Sequence, residues 1–225
     1  MKKMLLIFLW VLPLCAFAQN RINEYNKIGW YSIFIMPKIS DKISAQIEYQ
    51  WRRSGIIKNW QQSLSGAGIM YKINDKLTIQ TGYALLRTYP TGSTTLAAVP
   101  KTFPEHRIYE QLTVKSPIGK AILSHRLRLE QRWIGKFDII NSNKPDSWVY
   151  LNRIRYMPRL DIPLSNKFYA EALDELAIGF GKNVGENVFD QNRFALMAGY
   201  KLNKYVRIEA GYLNQTLQLG RRIND

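Results

Sequence analysis

Along most of this chain, polar and apolar side chains alternate. In residues 41–52, Ile43, Ala45, Ile47, Tyr49 and Trp51 are interleaved with Lys42, Ser44, Gln46, Glu48, Gln50 and Arg52, the two-residue period of a strand whose faces meet different surroundings. Residues 120–133 repeat the pattern, with Ala121, Leu123, His125, Leu127, Leu129 and Trp133 opposed by Ser124, Arg126, Arg128, Glu130 and Arg132. Similar alternation at 76–88, 147–157 and 189–212 completes a series of about ten strands: 26–37, 41–52, 59–73, 76–88, 104–116, 120–133, 147–158, 166–180, 189–202 and 204–217. Turn-forming residues separate them, and short and long connections alternate. That order predicts an all-β, antiparallel, up-and-down barrel of about ten to twelve strands. The run Glu171-Ala172-Leu173-Asp174-Glu175-Leu176 consists of good helix formers, so a short helix competes with the strand there.

Alternation alone does not say which face meets solvent. Most of these strands reach 12 to 15 residues, beyond the roughly five or six common in soluble sheets and enough for the roughly 9 to 11 that a tilted membrane-spanning strand needs. Aromatics of the apolar face gather toward strand ends: Tyr49, Trp51, Trp133, Trp148, Tyr150, Tyr156, Tyr200 and Tyr212. Such a distribution is expected at a membrane interface. Turning Arg126 or Arg128 toward lipid would cost about 2–4 kcal/mol each near the bilayer centre, so the charged face is expected to line the lumen. This phase places Arg52, Arg126, Arg128, Arg132, Arg153, Arg155, Arg193 and Arg207 inside with Glu48, Glu130, Glu171, Glu175 and Glu209, and adds Lys42 and Lys167. In a narrow interior, Arg126 and Arg128 are expected to pair with Glu48, Glu171, Glu175 and Glu209 as a polar plug.

The N-terminus predicts the compartment. Lys2 and Lys3 precede an apolar run from Met4 to Leu14, and Ala16-Phe17-Ala18 before Gln19 supplies the small residues of a signal-peptidase site. Residues 1–18 are therefore expected to be a cleaved signal peptide and 19–225 the barrel domain. The apolar run is shorter than the roughly 20 residues of a spanning helix. Leu14 stands before Cys15 where a lipoprotein signal would carry a small residue, and removal of the signal takes away the one cysteine of the chain. Disulfides, thiolate metal sites and a cysteine nucleophile are thereby excluded from the mature chain.

At 225 residues, 46% hydrophobic and 22% charged, the composition suits one folded domain and excludes a disordered chain. The 32 Lys and Arg against 17 Asp and Glu give a formal charge of +15. Nucleic-acid binders gather such charge on one helix or loop, whereas here it recurs at alternate strand positions. The expected partners are outer-membrane lipid and lipopolysaccharide, with an envelope protein of unspecified identity beside them, and not nucleic acid.

No enzyme motif emerges, and neither a catalytic residue, a metal ligand set nor a cofactor is assigned. Ser124 and His125 are neighbours, but strand neighbours point to opposite faces, and Glu105-His106 fails for the same reason. The chain has two histidines, on separate strands, a weak basis for a metal site. Glu171, Asp174 and Glu175 could be read as acid/base groups or cation ligands, but Glu171 and Glu175 on one strand face would lie about 13 Å apart by strand rise, and pairing with lumen arginines is the expected role. Gly179-Phe180-Gly181-Lys182 and Gly185 lack the spacing of a phosphate loop. Gly66-Ala67-Gly68 is read as a place where the barrel bends or a side chain crosses close by. The leading expectation is a non-enzymatic envelope barrel, either a narrow or plugged polar-lumen pore or a structural and interaction protein. A lipid-modifying enzyme using a rim residue is the alternative.

Glu48-Tyr49-Gln50-Trp51-Arg52, Glu105-His106-Arg107-Ile108-Tyr109-Glu110-Gln111 and His125-Arg126-Leu127-Arg128-Leu129-Glu130-Gln131-Arg132-Trp133 resemble a bacterial family designated domain of unknown function 2490. The resemblance covers essentially the whole mature chain and implies a barrel in the outer membrane of a Gram-negative bacterium, with no catalytic residues. Such barrels commonly close on an aromatic-terminated strand, while this chain ends Arg221-Arg222-Ile223-Asn224-Asp225, so a missing closing strand is one expectation. Short turns follow odd-numbered strands, which starts the chain on the long-loop side. An additional strand, or an N-terminal segment crossing the lumen, would reconcile that parity with a membrane barrel.

Overall fold

The computed structural model describes residues 25–90, 101–137, 142–185 and 188–218. The expected signal peptide and the Arg221 to Asp225 terminus lie outside them. Ten strands follow one another: β1 (Ile28–Ile35), β2 (Ile43–Ser54), β3 (Asn59–Lys72), β4 (Leu77–Thr88), β5 (Phe103–Ile118), β6 (Ala121–Lys136), β7 (Ser147–Pro163), β8 (Phe168–Phe180), β9 (Phe189–Lys201) and β10 (Arg207–Leu217). They form a single antiparallel sheet in which each strand pairs with its neighbour in sequence. The up-and-down order and the strand count agree with the alternation. β8 is a strand and not a helix, because its backbone is laddered on both sides, to β7 and β9. Two such ladders outweigh a helix propensity of a few tenths of a kcal/mol per residue.

One end of the sheet carries the connections 36–42, 73–76, 119–120, 164–167 and 202–206, and the other carries 55–58, 89–102, 137–146 and 181–188. The chain enters β1 and leaves β10 at the second, longer-looped end, as the parity of the turns requires. Lys42 and Lys167 fall in the short connections and are exposed, not in the lumen. Their strands begin two residues later than the alternation indicates, at Ile43 and Phe168.

The sheet curls until its first and ninth strands meet through side chains. The Arg193 guanidinium of β9 lies 4.8 Å from the centre of the Trp30 ring of β1. No backbone ladder joins β1 to β10 among the described residues, so these strands are the two edges of the sheet. Register shifts at Arg52/Arg53 and at Ala177/Ile178 add local twist where the sheet bends.

Glycine permits the closest inward packing. Gly82 lies opposite Tyr109 and Gly68 opposite Gly82, so the Tyr109 ring crosses two strands and its hydroxyl meets the Gln80 amide at 3.0 Å. A Cβ on Gly68 would stand 2.7 Å from that hydroxyl, and one on Gly82 would collide with it. Tyr169 lies over Gly199 in the same way. The Gly66-Ala67-Gly68 segment is thus a place where side chains cross, with Glu48 above Gly66 and Tyr109 above Gly68. Gly82→Ala is expected to cost about 1–3 kcal/mol through overpacking. The loss should shrink when Tyr109→Leu is added, which a double-mutant cycle in urea will measure.

Candidate functional site

The two faces of the curled sheet have inverted polarity. Glu130 and Glu175, on its concave side, are 1% and 2% exposed, whereas Ile47 and Leu196, on its convex side, are 49% and 51% exposed. Strand pleat enforces this: neighbours in sequence go to opposite faces, and the register aligns like faces across strands. The concave side encloses a cavity of about 2680 Å³ into which Arg52, Arg126, Arg128, Arg155, Arg193 and Arg207 project, with Glu48, Glu130, Glu171, Glu175 and Glu209.

Two carboxylates organise the middle of this lumen. Glu130 accepts hydrogen bonds from Arg153 Nε at 2.8 Å and Arg155 Nη1 at 2.7 Å. Glu175 accepts from Arg155 Nη2 at 2.5 Å, from Arg193 Nη1 at 3.2 Å and from Arg126. Arg155 joins the two carboxylates and ties β6, β7 and β8 together. Toward the long-loop end, Glu105 accepts from Arg107 Nε and Arg132 Nε, both at 2.6 Å, and Asp190 accepts from Arg153 Nη1 at 2.6 Å. With Glu48 and the neighbouring Arg52 and Arg128, this band holds eight guanidiniums and five carboxylates. A second cluster lies toward the short-turn end, where Arg159 pairs with Asp161 and Glu171, each at 2.8 Å, near Arg207 and Glu209.

The pairing differs from the expected one. Of the carboxylates expected to hold Arg126 and Arg128, Glu175 alone does so, through Arg126. Arg128 donates to Gln111 Oε1 at 2.8 Å, lies 4.2 Å from the centre of the Tyr109 ring and comes no nearer than 3.9 Å to Glu130. The reason is register: Arg128 stands directly opposite Arg155, which takes the nearer carboxylates and repels it. Glu48 receives the Gln46 amide, Glu171 receives Arg159, and Glu209 receives the Tyr169 hydroxyl.

Glu105, Arg107, Asp190 and Trp30 are lumen residues beyond those the alternation assigns to the interior. The first two were legible, since Glu105, Arg107, Tyr109, Gln111 and Thr113 alternate on β5 and all turn inward. Asp190 was not, because the irregularity opposite Ala177/Ile178 displaces it from the plain alternation.

The eight aromatics expected at an interface all project from the convex face. Tyr49 packs on Trp51, Trp133 on Tyr150 and Phe168 on Tyr200, with ring centres 5.7, 5.2 and 4.8 Å apart. Trp148 packs on His106, Tyr156 accompanies His125, and Tyr212 stands exposed on β10. His125 Nδ1 is 2.7 Å from the Tyr156 hydroxyl on this face, while Ser124 lines the cavity on the other, so the two do not meet. Carboxylates also stand on the convex face, where Gln131 donates to Glu110 at 3.1 Å and Asn192 to Asp174 at 2.7 Å.

At the short-turn end, Lys38 pairs with Asp41 and Lys72 with Asp75, each at 2.6 Å. Hydrogen bonds from these lysines hold both carboxyls below the ordinary aspartate range. Among the described residues no group of three or more His, Asp or Glu side chains is arranged to hold a metal ion.

Residues 28–224 match the family model described as "Protein of unknown function (DUF2490)". No curated protein and no solved structure matches the chain.

Proposed function

The chain belongs to the DUF2490 family, and on that premise we propose that it is an exported, non-enzymatic β-barrel of the Gram-negative outer membrane, with a narrow polar lumen that is either a restricted pore or the interior of a structural and interaction protein. The observation that carries this reading is the inversion of polarity. A protein folded in water buries its large apolar side chains and exposes its charges, while here buried arginines and glutamates fill the concave side and isoleucines, leucines and aromatics cover the convex one. Lipid hydrocarbon is the surrounding in which that arrangement is stable, and closed antiparallel barrels span it because their backbone polar groups pair from strand to strand, so the free edges of β1 and β10 must find a partner there.

The rims suit anionic lipid. Each of the five short turns has an exposed lysine within it or beside it, among them Lys42, Lys76, Lys120, Lys167 and Lys204, placed to meet the phosphate of anionic phospholipid. A lipid-modifying enzyme is not favoured, since Ser124 and His125 face opposite sides of the sheet.

Fractionation tests the reading. The mature protein is expected in the detergent-extracted envelope, migrating differently on gels before and after heating, and its recovery in the soluble periplasm would defeat the proposal. Planar-bilayer recording tests the lumen: the wild type is expected to show little steady conductance, because the ion-paired side chains of β5 to β9 project into a narrow interior. Arg126→Ala combined with Arg128→Ala is expected either to open the lumen or to destabilise the barrel. Large, steady wild-type conductance would replace the restricted lumen with a porin. A double variant unchanged in both stability and conductance would remove these arginines from the argument.

A further inference from the structure

The central band of the lumen carries a cationic excess that its own carboxylates do not neutralise. Among the described residues eight guanidiniums face five carboxylates there, leaving three positive charges over. The second cluster, at the short-turn end, has one carboxylate more than its two arginines, Arg159 and Arg207, but Lys115, Lys120 and Lys201 line the cavity at that same end.

The excess concentrates at one place. Among the described residues Arg52 has no carboxylate within ion-pair distance: it donates to Gln62 Oε1 at 2.5 Å and lies 3.6 Å from the centre of the Trp30 ring. Arg193 reaches the same indole, at 4.8 Å, and shares its one carboxylate, Glu175, with Arg126 and Arg155. Two guanidiniums thus lean on one aromatic ring from strands β2 and β9, and all three side chains line the cavity. An indole face supports a cation without neutralising it, and like charges held together away from bulk water require a counter-charge. Guanidinium forks match the paired oxygens of an oxyanion, and an excess of three favours a ligand carrying more than one negative charge.

We propose that the lumen binds a phosphate-type oxyanion of charge −2 or greater, clamped between Arg52 and Arg193 against Trp30. Trp30 belongs to the edge strand β1, so the site lies beside the unpaired margin of the sheet as well as within the cavity. A free phosphate anion reaches it along the lumen, and a lipid phosphate headgroup reaches it past that margin. The proposal rests on the polar-lumen reading above and not on the membrane.

The test uses the full-length protein folded in a zwitterionic detergent, with two probes: inorganic pyrophosphate in solution and dodecyl phosphate mixed into the micelles. Titration is followed by tryptophan fluorescence and by calorimetry at constant ionic strength. Saturable binding of pyrophosphate is expected if the ligand is a free anion, and of dodecyl phosphate alone if it is a headgroup. Arg52→Gln and Arg193→Gln should each weaken binding about tenfold or more, as loss of a charge-assisted hydrogen bond does. Arg52→Lys, which keeps the charge and loses the fork, covers the case in which Arg52→Gln does not fold, and it too should bind more weakly. Binding of neither probe, or a signal that sodium chloride reproduces, overturns the proposal, as does undiminished binding by a folded Arg52 variant. Pyrophosphate binding by protein recovered from the soluble periplasm would defeat the membrane reading and leave this site standing.

Discussion

Replacing Glu130 with alanine is expected to destabilise the barrel by about 3–5 kcal/mol. Its carboxylate is 1% exposed and holds Arg153 and Arg155, with Arg128 at 3.9 Å. Removal leaves three guanidiniums in a confined interior with one fewer counter-charge, and two of them, Arg128 and Arg155, stand directly opposite each other in the ladder. Glu130→Gln keeps the shape and two lone pairs but not the charge, so its loss should fall between wild type and alanine. Equilibrium urea unfolding in detergent, read through the heat-dependent gel shift, measures both. A loss below about 1 kcal/mol for Glu130→Ala, the range of exposed pairs, would mean that water screens the lumen and that the ion pairs do not hold the walls together.

Ile154→Arg separates a lipid-facing surface from a solvent-facing one. Ile154 lies at the middle of β7, on the convex face, flanked by Leu129 of β6 and Ile178 of β8. In phospholipid vesicles the substitution should cost about 2–4 kcal/mol, as arginine does at the bilayer midplane. On a surface in contact with water it should change stability by no more than about 0.5 kcal/mol. Folding yield and urea midpoint in vesicles distinguish the outcomes, and a near-neutral result in vesicles would place this face outside the hydrocarbon. Glu110 and Asp174 sharpen the comparison, because each already sits on that face in a hydrogen bond to an amide of the next strand. An amide partner lowers the penalty of an outward carboxylate, and an arginine at 154 would arrive without one.

The period of the sequence determined the strands, their antiparallel order and the polarity of their two faces. These are local properties: a strand exposes alternate residues to two surroundings, so Ile47 beside Glu48, or Leu127 beside Arg128, announces its face within two positions. The same period assigns Arg126, Arg128, Glu130, Arg153, Arg155, Glu175 and Arg193 to one lumen. Tertiary structure alone decided who pairs with whom. Glu130 serves Arg153 and Arg155, and Arg128 is left to Gln111 and Tyr109, because register and side-chain reach across strands select partners that lie tens of residues apart in the chain. The same holds for Tyr109 lying over Gly82 and Gly68, for Asp190 displaced inward by a register shift, and for β8 choosing two ladders over its helix propensity. It holds most of all for Arg52 and Arg193, which share the Trp30 indole because the sheet curls far enough to bring β9 against β1. No spacing within the chain encodes that curvature, which is the sum of twist and close glycine packing over all ten strands.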